Sequence, residues 1–194
     1  MNYLAHIYLS NDNENIQLGN FFADSVKGKT YLNYPLEIQK GILLHRFIDS
    51  FTDDHAQFRK SKRRLDPRYG LYKGIIIDIF FDHFLAKNWA EYSSRSLRDF
   101  TQQFYRNLKG NFDLLPERTK GMVPYLIDQN WLESYAKFEG IEAVLKGMNR
   151  RTQNRSKMDL AMTDLHLHYP YFEEDFSIFF PDLIKSSQEK LITL

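Results

Sequence analysis

Cysteine is absent from the 194-residue chain. Disulfides, thiolate-bound zinc and iron–sulfur clusters are therefore excluded, and any bound metal must be held by His, Asp, Glu, carbonyl oxygens or water. Such donors favour hard or borderline cations, magnesium or manganese above all. Long apolar runs are missing too. The richest stretch, Ile75 to Phe84, is interrupted by Asp78 and Asp82 and falls well short of the roughly 20 residues a bilayer span needs. The first residues, Met1 to His6, carry neither the basic start nor the apolar core of a signal peptide, so they read as part of a mature, cytoplasmic fold. No P-loop, dinucleotide fingerprint or serine elbow is found. Neither charge sign dominates, since 26 Lys and Arg face 25 Asp and Glu for a net charge of +1, which gives no bulk argument for a nucleic-acid partner.

What is present is material for one hydrophobic core: 43% hydrophobic and 15% aromatic residues in a length that suits one domain, residues 1–194. The apolar residues follow the helical period almost throughout, and strand-like alternation is absent, which predicts an all-α, single-domain helical bundle. Asn2 is expected to cap a short first helix and Pro35 to open a helix through His45 and Asp49. A further helix is expected to carry Asp78 to Trp89. Ser93 or Ser94 should cap the next, and Thr52-Asp53-Asp54 reads as an N-cap. Helices are also expected over 158–165 and 172–191.

The chemistry concentrates in the first 83 residues. His45 and Asp49 stand four apart, as do Asp78 and Asp82, the latter followed by His83. Spacing of four puts two side chains on one helical face, so each segment aims two ligand-type groups at one point. Carboxylates on an apolar stripe are costly unless a cation neutralises them. These four groups point to a metal site between helices, with His6 and Asp24 as further candidates. His55, Asp53 and Asp54 are more simply solvated or capping groups. Carboxylates with imidazoles form the usual surroundings of a hydrolytic metal centre, which suits phosphoester hydrolysis. Arg46 and Lys27 could hold a phosphate oxygen, although an Arg in that position serves equally well as a structural counter-charge. The run Arg59-Lys60-Ser61-Lys62-Arg63-Arg64 is either a solvated helix face or a docking surface for an acidic partner. No aromatic is interleaved with it, which argues against single-stranded nucleic acid. Arg150, Arg151, Arg155 and Lys157 form a looser patch.

The strings Met1-Asn2-Tyr3-Leu4-Ala5-His6, Leu18-Gly19-Asn20-Phe21-Phe22-Ala23-Asp24, Leu44-His45-Arg46-Phe47-Ile48-Asp49-Ser50-Phe51-Thr52-Asp53 and Phe81-Asp82-His83-Phe84-Leu85-Ala86 with Trp89 resemble the bacterial acyl carrier protein phosphodiesterases. The later Trp131-Leu132-Glu133-Ser134-Tyr135, Gly140-Ile141 and Met148-Asn149-Arg150-Arg151 are similar too. The resemblance implies removal of 4′-phosphopantetheine from the serine of holo acyl carrier protein, with manganese or magnesium required, on an all-helical fold distantly related to HD-domain phosphohydrolases. This chain has no His-Asp dipeptide: His45 precedes Arg46, and residues 82 and 83 read Asp-His. Together with the site chemistry, the resemblance implies metal ligands drawn from His6, Asp24, His45, Asp49, Asp78 and Asp82. It further implies phosphate neutralisation by Arg46, a general acid in His83 or His55, and carrier-protein docking on Arg59, Lys60, Lys62, Arg63 and Arg64. The alternatives are a helical phosphohydrolase of small phosphoesters such as nucleotides, and a non-catalytic binding protein whose carboxylates are salt-bridge partners.

Overall fold

The computed structural model describes all 194 residues and contains helices and turns but no strand. Twelve α-helices are α1 (Tyr3–Tyr8), α2 (Glu14–Phe22), α3 (Leu36–Asp54), α4 (Ala56–Arg64), α5 (Lys73–Lys87), α6 (Trp89–Tyr92), α7 (Leu97–Gly110), α8 (Glu117–Lys120), α9 (Val123–Asp128), α10 (Trp131–Ser134), α11 (Phe138–Arg151) and α12 (Ala161–Thr193). Their apolar faces meet in one continuous core, so the all-α, single-domain expectation holds. No helix is long and apolar enough to cross a membrane.

Helix α5 is the axis of the bundle. Ile76, Ile77, Ile79, Phe80, Phe81, Phe84 and Leu85 are all fully buried on it, the pattern of a helix that is apolar all round and therefore surrounded. Phe81 packs on Phe58 of α4 and on Phe176 and Phe179 of α12 with ring centroids 5.2 to 5.9 Å apart. Polar groups on such a helix must find partners inside the protein, which governs Asp78, Asp82 and His83.

Helices α2 and α3 approach more closely than side chains would allow. A Cβ on Gly19 would stand 2.1 Å from the carbonyl oxygen of Ile38, and one on Gly41 would stand 2.2 Å from that of Ile16. Glycine at both positions lets the backbones touch. That contact sets Asn20 of α2 against His45, one turn along α3 from Gly41.

Several boundaries differ from expectation because tertiary contacts decide them. Asn2 makes no side-chain cap. Asp82 caps α1 instead, accepting the Leu4 and Ala5 amides at 2.7 and 3.2 Å. Helix α3 continues through Asp54, and His55 caps α4 by accepting the Gln57 amide on Nδ1. Ser96, rather than Ser93 or Ser94, caps α7. The two C-terminal helices are one, α12, which bends at His168 just before Pro170, where a proline deprives the helix of a hydrogen bond.

Candidate metal centre

Helices α1, α2 and α3 converge on a cluster made of His6, His45 and Asp49, whose ligand atoms all lie within 4.8 Å of one another. The His6 and His45 rings stack at 4.0 Å between centroids. Asp49 reaches both: Oδ1 stands 3.3 Å from His6 Nε2 and Oδ2 stands 3.1 Å from His45 Nε2. Asp24 adds a second carboxylate, its Oδ1 3.3 Å from the same His45 nitrogen. Donors held about 2.1 Å from one cation at tetrahedral or octahedral angles are themselves about 3.0–3.4 Å apart. The carboxylate–imidazole spacings of 3.1 to 3.3 Å match that range, so the His6–His45–Asp49 group could hold a metal ion.

Asn20 orients both rings. It is fully buried, and its Nδ2 donates to the His6 carbonyl at 2.8 Å and to Ser10 Oγ at 2.9 Å. The amide oxygen must therefore be the partner of His6 Nδ1 at 2.7 Å, which makes Nδ1 the donor. The Asn20 backbone carbonyl accepts from His45 Nδ1, also at 2.7 Å. With both Nδ1 atoms engaged as donors, both Nε2 atoms face Asp49, the arrangement that presents imidazole lone pairs to a metal. The role of Asn20 is visible only in three dimensions, where α2 lies between the two histidine-bearing helices α1 and α3.

The titration of the cluster divides unevenly. Burial, reinforced by the charge on His45, lowers His6 to about 4. Burial alone would lower His45 as well, but hydrogen bonds to Asp24 and Asp49 raise it to about 9. Asp49 is held far below the ordinary carboxylate range because the two imidazoles outweigh its burial. The hydrogen bond from His45 likewise lowers Asp24. Without metal, one proton on His45 offsets only one of the two carboxylates and leaves the cluster with a net negative charge, and a cation must displace that proton to bind.

The remaining candidates lie elsewhere. Asp78 and Asp82 do not join the cluster, although the spacing on α5 suggested ligands. Asp78 Oδ1 pairs at 2.8 Å with the buried α-amino group of Met1, and Asp82 is spent on the α1 amides. Burial raises both carboxyls, Asp82 to about 7. Arg46 donates to the carbonyls of Val26 and Gly28 at 3.1 and 2.8 Å and lies over the Tyr31 ring, so it fastens the segment after α2 rather than facing the cluster. His83 bonds the Tyr135 carbonyl and the Tyr169 hydroxyl at 2.8 and 2.9 Å, and burial lowers its pKa. His55 caps α4, stands 3.3 Å from Asp182 and packs on Phe179. Both rings are tied to structural partners outside the cluster.

The basic run is mostly consumed within the fold. Asp175 of α12, fully buried, takes Lys60 at 2.9 Å, Arg64, and the Ser61 hydroxyl at 2.8 Å. Arg59 pairs with Asp54 and Lys62 with Asp53. Arg63 is exposed and forms no ion pair.

With the geometry in place, similarity to known proteins decides the family. The family described as acyl carrier protein phosphodiesterase matches residues 1–183. This chain belongs to the acyl carrier protein phosphodiesterase family. Proteins of that name from Serratia proteamaculans and Yersinia enterocolitica are each 32% identical to it, over 98% and 99% of this chain and 99% and 100% of their own length. One from Klebsiella pneumoniae is 32% identical over 98% of this chain and 99% of its own. No solved structure matches. In this phosphodiesterase family member the strings that carry the likeness supply His6, Asn20, Asp24, His45 and Asp49, all now found at one place.

Proposed function

We propose that the protein hydrolyses the phosphodiester joining 4′-phosphopantetheine to the serine of holo acyl carrier protein, releasing apo carrier and 4′-phosphopantetheine. The observation that carries this is the His6–His45–Asp49 cluster with Asp24 at its edge, in a chain similar to named acyl carrier protein phosphodiesterases over nearly its whole length. His6, His45 and Asp49 hold the metal, and Asp24 is a fourth donor. Two imidazoles with carboxylates favour manganese over magnesium, because imidazole is the softer donor. When bound, such a cation lowers the pKa of a water and neutralises charge on the phosphoryl oxygens.

The chain's own contribution is positional. Asn20 fixes the two imidazoles, and Asp49 spans them. Asp24, with 72% of its side chain exposed, marks the side from which a phosphodiester reaches the cluster. Paired His and Asp groups on facing helices are compatible with a distant HD-domain relationship. The acidic carrier protein docks on the exposed edge of α4, where Arg63 is the free cation. Conversion of holo to apo carrier, followed by intact mass in the presence of manganese, tests the reading; persistence of the holo mass under those conditions refutes it.

A further inference from the structure

Beside Asp24 the bundle opens into a cavity of about 970 Å³, near the top of the roughly 300–1,000 Å³ range of small-molecule sites. One wall is a single face of α11. Gly140, Ala143, Val144, Gly147, Met148 and Arg151 follow one another at helical spacing and all line it. Three of these six positions are glycine or alanine, so the wall carries little side chain there, between Val144, Met148 and Arg151. Across from it stand Tyr3, Phe21 and Met122. The lining is thus mixed, with polar groups such as Ser134 and Gln129 among the apolar ones.

Its charge is distinctive. Arg118, Arg150 and Arg151 all line the cavity, and none pairs with a carboxylate. Asp24, Tyr3, Arg118 and Arg151 line the same cavity, so two guanidiniums without carboxylate partners share it with the open edge of the metal cluster. Guanidiniums without carboxylate partners in a concave site are suited to a phosphate oxygen. Arg46, committed to two backbone carbonyls, does not compete for that role.

We infer that this cavity seats the 4′-phosphopantetheine arm of the substrate, with Arg118 and Arg151 binding its phosphate beside Asp24 and the α11 face of Gly140, Ala143, Val144, Gly147 and Met148 receiving the amide chain and thiol. This rests on the function proposed above and adds where the arm lies. The phosphate end must adjoin the metal cluster, and the cavity has its cations in common with Asp24. The rest of the arm combines methylenes, methyls and amides, which matches the small residues of α11 interspersed with Val144 and Met148 and faced by Met122.

Gly147 allows a clean test. A Cβ there would meet nothing nearer than Arg150 Nη2 at 3.9 Å, so Gly147→Leu projects into the cavity without disturbing the fold, and it replaces a helix-interior glycine by a better helix former. Its thermal midpoint and manganese affinity should equal or exceed those of the wild type. Calorimetric titration of the manganese-loaded protein should show 4′-phosphopantetheine bound at least tenfold more weakly by Gly147→Leu and by Arg151→Ala. Pantetheine, lacking the phosphate, should be affected by Gly147→Leu alone. The KM for holo carrier should rise in both variants. If the wild type converts holo to apo carrier while both variants keep wild-type KM and affinity, the cavity assignment is overturned and the reaction stands. If the wild type binds 4′-phosphopantetheine with this variant pattern but leaves the carrier in holo form, the cavity assignment stands and the proposed reaction falls. If the wild type neither binds the arm nor converts the carrier, both are overturned.

Discussion

Replacing Asn20 by alanine should separate the geometry of the metal centre from the stability of the bundle. The substitution deletes the acceptor of His6 Nδ1 and the donor to the His6 carbonyl and Ser10 Oγ, all at 2.7 to 2.9 Å and all buried. Each buried polar group left without a partner costs about 1–3 kcal/mol. Ser10 retains its own bond to the His6 carbonyl, so His6 Nδ1 is orphaned in full and Ser10 Oγ loses one of its two bonds, for a total of about 3 kcal/mol. In a chain of this size that lowers the thermal midpoint by about 6–12 °C, at roughly 2–4 °C per kcal/mol. The larger effect should be on metal, because freeing a ligating histidine from its outer hydrogen bond weakens binding by about 10–100-fold. Manganese titration by calorimetry below the new midpoint measures it. Asn20→Asp, which keeps an acceptor for His6 Nδ1 and loses the donor, should show the stability loss with a smaller loss of metal affinity. Wild-type manganese affinity in Asn20→Ala would refute the assignment of His6 as an oriented ligand.

Other consequences are more local. Asp175→Ala leaves Lys60, Arg64 and Ser61 facing a buried void and should cost about 3–5 kcal/mol, seen in denaturant unfolding, with activity per folded molecule unchanged. Arg63→Glu should raise KM for the carrier protein, by less than about tenfold for one rim charge, and leave kcat near wild type; a fall in kcat alone would contradict a docking role. His83 is held neutral by burial, its folded pKa below the unfolded value of about 6.5. The stability tied to it is therefore complete above about pH 6.5 and is lost as pH falls towards the folded pKa. His83→Gln should flatten the acid limb of a stability–pH profile.

The helical class was legible in the sequence because the apolar period is unbroken and strand alternation is absent. The closeness of His45 and Asp49 was legible as well, since four-residue spacing puts the two side chains on one face of α3. Asp78 and Asp82 carry the same spacing but meet the Met1 amine and the α1 amides, and a carboxylate that binds a cation and one that accepts such donors look alike in sequence. The α1 amides and the Met1 amine that satisfy them lie more than seventy residues away in the chain. The partner of the basic run is equally remote in sequence, since Asp175, which takes Lys60 and Arg64, belongs to α12. Asn20 shows the converse failure. Its role arises from the glycine-mediated contact of α2 with α3, and no local pattern encodes that crossing.

The most direct test is to strip the protein of metal, titrate manganese back in the presence of holo carrier, and follow the apo mass for wild type, His45→Gln and Asp49→Asn. The account requires no conversion without metal, saturable conversion in the wild type, and a loss of about 100-fold or more in both variants, the scale of losing a catalytic electrostatic contact, while their helical circular dichroism is retained. Conversion by the stripped wild type, or full activity in either variant, would contradict the assignment of this cluster as the catalytic centre.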